Sequence, residues 1–96
     1  MTFVRHGTLV ANTVATVTLP TERSFESVEV SNVDGAAAIY FLVLGGSDTD
    51  ANPTVAGNDC EVLPASMSAL GVDSPVDTIV VKLISTGTPK YSVRAE

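Results

Sequence analysis

The chain has 96 residues, with 45% apolar and only 17% charged side chains, and eleven acidic residues against five basic ones give a formal charge of −6. One small domain with a single modest core fits that length, and the charged fraction lies well under the roughly 25% usual for soluble domains. The basic residues Arg5, Arg23, Lys82, Lys90 and Arg94 stand singly; a nucleic-acid backbone is held by clustered cations, so this composition argues against such a partner.

The first twenty residues, "MTFVRHGTLVANTVATVTLP", are interrupted by Thr, Arg, His and Asn. They offer no continuous apolar core of an export signal, and no stretch reaches the eighteen or so apolar residues of a membrane helix. The expectation is a chain that begins near Met1 and is made in a cytoplasm, with residues 1–7 as a possible N-terminal arm. The single cysteine, Cys60, closes no internal disulfide; it reads as a small buried residue at the start of a strand.

In chain order, Ala15, Val17 and Leu19 alternate with Thr16 and Thr18, the period of a strand with one buried face, and Pro20 ends it. Val28 and Val30 alternate with Ser27, Glu29 and Ser31 up to the turn dipeptide Asp34-Gly35. The run "AAAIYFLVLGG" follows directly, so a hairpin joining residues 25–33 to 37–44 is expected. "CEVLP" reads as a short strand ended by Pro64, and a brief strand is expected near Leu70 and Val72. "DTIVVKLIST" and "KYSVRAE" read as two more strands joined through Gly87-Thr88-Pro89. No window carries a helical apolar stripe. Six to eight short strands without crossover helices predict an all-β, single antiparallel β-sandwich, Ig-like or jelly-roll-like, spanning 1–96.

Two strands depart from simple alternation. Ile39 to Leu44 is apolar without a break, and Ile79 to Ile84 is interrupted only by Lys82. A sandwich strand needs one apolar face; a second one is covered either by a loop or by another protein.

The segment "GGSDTDANPTVAGND" places Asp48, Asp50, Asn52 and Asp59 in register with a calcium-loop template. The sixth position, which needs glycine for a sharp turn, is Pro53, so an EF-hand is excluded. The segment reads chiefly as a polar connection, with a looser calcium site as the alternative. His6 is the only histidine, which excludes a multi-histidine zinc site within one chain, and no nucleophile motif accompanies it. Glu26, Glu29 and Glu61 could form a carboxylate pair, but any acidic domain of this size could supply one. Without Trp, and with Tyr40 and Tyr91 inside strand patterns, the aromatic platform of a sugar-binding module is missing. Neither catalysis nor a cofactor is expected.

The succession "HGTLVANTVATVTL", "VEVSNVDGAAAIYF", "PTVAGNDCEVLPA" and "VVKLISTGTPKYSV" resembles small virion proteins of tailed phages that infect actinobacteria. It spans His6 to about Val93. The resemblance implies a capsid decoration or minor capsid protein that binds the outside of the head and contacts the major capsid protein. It further implies a trimer or dimer at a symmetry axis, located on the virion exterior after synthesis in the host cytoplasm. A tail-associated structural protein and a small glycan-binding sandwich are the alternatives. Phe3, Val4, Arg5 and His6, apolar anchors with cations in an acidic chain, are the expected contact residues.

Overall fold

The computed structural model describes residues 2–20, 25–46, 49–65, 69–73 and 79–96. Among them are eight strands and no helix: β1 (Phe3–Thr8), β2 (Ala15–Thr18), β3 (Ser27–Asn32), β4 (Ile39–Leu44), β5 (Glu61–Leu63), β6 (Ala69–Asp73), β7 (Val80–Ile84) and β8 (Lys90–Ala95). They form two four-stranded sheets, ordered β1-β8-β3-β6 and β2-β7-β4-β5, and every pairing is antiparallel.

The pairing follows one rule. First pairs with last, β1 with β8, then β2 with β7, β3 with β6 and β4 with β5. The chain is thus one long hairpin rolled up on itself, and the contacts β3–β8 and β4–β7 complete the two sheets. This strand order is that of the jelly roll, the second of the two sandwich types the sequence allows. Every connection except β4 to β5 crosses from one sheet to the other.

Alternation supplies the core between the sheets. Val28 and Val30 of β3 and Val93 and Ala95 of β8 point inward from the first sheet; Val17, Val81, Leu83, Ile39, Phe41 and Leu63 meet them from the second. Most of these are fully buried, and each such aliphatic or aromatic side chain contributes about 1.5–3 kcal/mol by its removal from water. Phe3 of β1 packs on the edge of this core, its ring meeting Phe25 edge-on at 6.4 Å.

Two expectations are corrected. The Asp34-Gly35 turn does not close a hairpin, because β3 and β4 belong to different sheets. A two-residue type I′ hairpin needs positive φ at both central residues, and here only Gly35 has it, at 65°. The connection is instead an inter-sheet corner tied by Asn32, whose Nδ2 donates to the Ala37 carbonyl at 2.7 Å while its Oδ1 accepts from Gly35 N–H at 3.0 Å. Residues 3–8 do not project as an arm: each is paired with β8, from Phe3 opposite Ala95 to Thr8 opposite Lys90.

The alternate connections gather at one end of the sandwich. Leu9 N–H donates to Pro89 O and Asn12 N–H to Ser85 O, joining the β1–β2 and β7–β8 corners. The buried Ser85 hydroxyl donates to Ala38 O at 2.6 Å, tying in the β3–β4 corner. Gly35, in that corner, lies close against the Ala65 carbonyl after β5.

Candidate functional site

The outer face of the second sheet explains the doubly apolar strands. Pairing sets Tyr40 beside Val62 and Ile84, Leu42 beside Lys82, and Leu44 beside Val80, all on the face away from the core. Val80 and Ile84 are nevertheless 9% and 8% exposed. The β4–β5 connection reaches this face: Lys82 Nζ donates to Asn52 Oδ1 at 3.2 Å, and the next residue, Pro53, is buried. Residues 49–60 thus form a strap that meets β7 at Lys82, so a loop of the same chain lies against part of the second apolar face.

Within the strap, Gly57 N–H donates to Thr54 O at 3.0 Å, closing a turn in which Ala56 holds φ at 56°. The Cys60 thiol lies 3.5 Å from Thr54 O and 3.6 Å from Gly57 O, so its single proton bonds one of the two at a time. Cys60 is half-buried immediately before β5, not fully buried as its sequence position suggests.

Of the four residues in calcium-loop register, Asp48 lies outside the described residues, and Asp50, Asn52 and Asp59 are exposed. The Asn52 side-chain oxygen accepts from the Lys82 ammonium, which sets a positive charge where a ligand oxygen would face the ion. No grouping of three or more His, Cys, Asp or Glu side chains able to hold a metal occurs among the described residues.

The expected contact residues lie along β1, an edge strand. Its pairing with β8 turns Phe3, Arg5 and Gly7 to the core side, in step with Ala95, Val93 and Tyr91, and leaves Val4 and His6 on the outer face. Arg5 lies 5.6 Å from the centroid of the Phe3 ring, a cation–π contact. A charge on an edge strand also discourages edge-to-edge pairing. The strand period sets the four residues on two faces of β1, with Phe3 half-buried and Val4, Arg5 and His6 exposed. Glu29 and Glu61 sit on different sheets around an open depression, and Glu26 is at the end of the first sheet, its N–H bonded to the Glu96 carbonyl. The exposed ion pair between Arg94 and Glu96 contributes little in water.

A second surface emerges only once the chain is folded. At the end where the β1–β2, β3–β4, β5–β6 and β7–β8 corners meet, Val10 is 64% and Val33 60% exposed, the two most exposed large apolar side chains among the described residues. Their surroundings are Ala, Thr, Asn, Gly and Pro, with Asp34 and Lys90 the only charged residues in these corners among the described residues. Beside Val33 a shallow hollow of about 420 Å³ is lined by His6, Gly7, Thr8, Lys90 and Tyr91. Gly7 is required there, since a Cβ at that position would stand 2.5–2.8 Å from the Tyr91 ring and hydroxyl. The sequence signal for this surface is the absence of charge in segments 9–14, 33–38, 64–65 and 85–89, Asp34 excepted.

The architecture is that of an eight-stranded jelly-roll sandwich. Comparison with known protein families and with characterised proteins gives no match for this chain.

Proposed function

We propose that the protein is a structural component of a phage virion, a decoration protein that binds the outside of the head and stabilises contacts between major capsid subunits. The observation that carries this reading is the jelly-roll strand order, an architecture used by viral capsid domains and also by lectins and cupins. A shared fold raises the prior without assigning the activity, so the weight comes from its combination with the sequence resemblance over His6 to Val93. The charge-poor composition and the exposed valines Val4, Val10, Val33 and Val62 fit a subunit that meets other proteins over part of its surface.

The mechanism is linkage. A protein that binds the assembled shell and not its free subunits stabilises the shell by RT ln(1 + [L]/Kd), about 2.7 kcal/mol per site at a concentration of 100 Kd. Contacts of modest area, repeated at symmetry-related positions, then resist rupture without chemistry in any one of them.

The test is imaging of intact virions. Density matching this sandwich on the outer head surface, with heads lacking the protein rupturing at lower temperature, is the expected result. Density on the tail instead would make it a tail-associated structural protein, and absence from purified virions would overturn the reading. Binding of the isolated domain to host-wall glycans would favour the sugar-binding alternative.

A further inference from the structure

We propose that the corner end carrying Val10 and Val33 is a self-association surface, occupied by the same end of a second copy of this chain related by a two-fold axis. The inference stands on the distribution of charge and does not depend on the virion reading.

At a formal charge of −6, two copies repel at most approaches. The corner end is the exception. Among the described residues its corners hold one exposed acid, Asp34, and one exposed base, Lys90, which are neighbours: Asp34 Oδ1 accepts from the Lys90 backbone N–H at 3.2 Å. The acids Glu26 and Glu96 lie at the other end, where Glu26 N–H and Ser27 N–H donate to the Glu96 carbonyl and the Glu96 carboxylate pairs with Arg94. Asp50 and Asp59 lie in the strap, which leaves and re-enters the second sheet away from the corners.

A two-fold interface is isologous, so each residue type must find its complement on the same patch. This patch meets that condition twice. Asp34 of one copy faces Lys90 of the other and the converse, and Val10 and Val33 supply apolar contact beside a hollow able to receive a side chain. End-to-end docking directs the acidic ends of two bodies measuring 33 × 25 × 18 Å away from each other. Their separation then spans several screening lengths of about 8 Å at physiological salt.

Area sets the strength. One end face of such a body offers on the order of 500 Å², so the pair buries about 1,000 Å² in total, the low end of specific interfaces. An interface of that size belongs with weak, reversible associations.

The test uses the full chain in sedimentation equilibrium from 10 µM to 1 mM, with amide chemical-shift changes on dilution to locate the contact. The expected result is a monomer–dimer equilibrium whose dilution shifts centre on Val10, Val33, Asp34 and Lys90. Val10→Asp and Val33→Asp, at exposed positions that leave the core intact, each weaken the dimer at least tenfold. Lys90→Glu weakens it as well, by facing two acids across the axis, whereas Thr16→Asp on β2 leaves it unchanged. A chain that stays monomeric through 1 mM overturns the proposal, as does a dimer that survives Val10→Asp and Val33→Asp. If the tip variants lose attachment to phage heads while the wild-type chain is monomeric, the surface belongs to another protein and self-association is refuted.

Discussion

Replacing Asn32 by alanine tests whether the β3–β4 connection is a corner held from inside. Asn32 is 5% exposed, and its amide makes two of the bonds that hold the corner, to Ala37 O and from Gly35 N–H. Each hydrogen bond contributes about 1 ± 0.5 kcal/mol net, and a partner left unsatisfied away from water costs about 1–3 kcal/mol. Removing the side chain also leaves a small void beneath the corner. The sum is a loss of about 2–4 kcal/mol. For a domain of this size 1 kcal/mol moves Tm by roughly 4–8 °C, so Asn32→Ala lowers it by about 10–25 °C. The neighbour Val33 is 60% exposed, and Val33→Ala stays within about 0.5 kcal/mol. Urea unfolding followed by circular dichroism, supported by thermal melts, measures both. Equal stabilities for the two variants would refute the corner account, because a surface turn would tolerate either change.

Gly7→Ala forces the Tyr91 ring from its place and destabilises by about 1–3 kcal/mol, as overpacking does; denaturant midpoints check it, and an unchanged midpoint would mean the ring moves freely. Gly35→Ala places a Cβ at φ 65° and costs about 1–2 kcal/mol, measured in the same assay. Lys82→Ala removes the strap's bond to Asn52. That bond is worth about 0.5–1.5 kcal/mol, so amide exchange in residues 49–60 rises about 2- to 10-fold while the core amides keep their protection. Adding 1 mM calcium leaves Tm unchanged, since the Asn52 oxygen already faces an ammonium; a rise of several degrees would reveal a site involving Asp50 or Asp59.

Strands whose signal is local were legible in the sequence. Thr16 and Thr18 point out and Val17 and Leu19 in, as their alternation requires, and Val28 and Val30 behave the same way. The short strands at Glu61–Leu63 and Ala69–Asp73 fall where breakers and β-branched residues place them. Partner choice was not legible. An Asp-Gly dipeptide between two strand patterns favours a hairpin on local grounds, but a rolled hairpin pairs β3 with β6 and β8 instead. The deciding interaction is the Asn32 side chain reaching Ala37 O, which the dipeptide itself does not encode. The outer faces of β4 and β7 were similarly ambiguous, because whether a loop or another protein covers them depends on how far residues 45–60 fold back. Phe3 to His6 look like one cluster in a line of sequence, and the strand period divides them between two faces.

A separate rule, the parity of the connections, explains the charge. In a chain that crosses between sheets at successive strands, odd connections collect at one end and even ones at the other, the β4–β5 strap included. Residues that look scattered along the sequence are thereby sorted by the parity of the connection that carries them. The odd connections here hold Val10, Val33, alanines, threonines and prolines with a single acid, Asp34. By contrast, the strap carries Asp50 and Asp59, and Glu26 lies at the start of β3 beside Glu96. Low overall charge therefore does not mean a uniformly weak field. It means one end where another protein surface can approach without repulsion, and elsewhere enough negative charge to keep approaches unfavourable. For a chain of 96 residues with a core of this size, the choice of which connections carry acids is a cheaper way to direct association than building a dedicated apolar face. An unpaired apolar face would invite aggregation during folding, whereas a charge-poor tip between short corners exposes isolated valines beside Asp34 and Lys90.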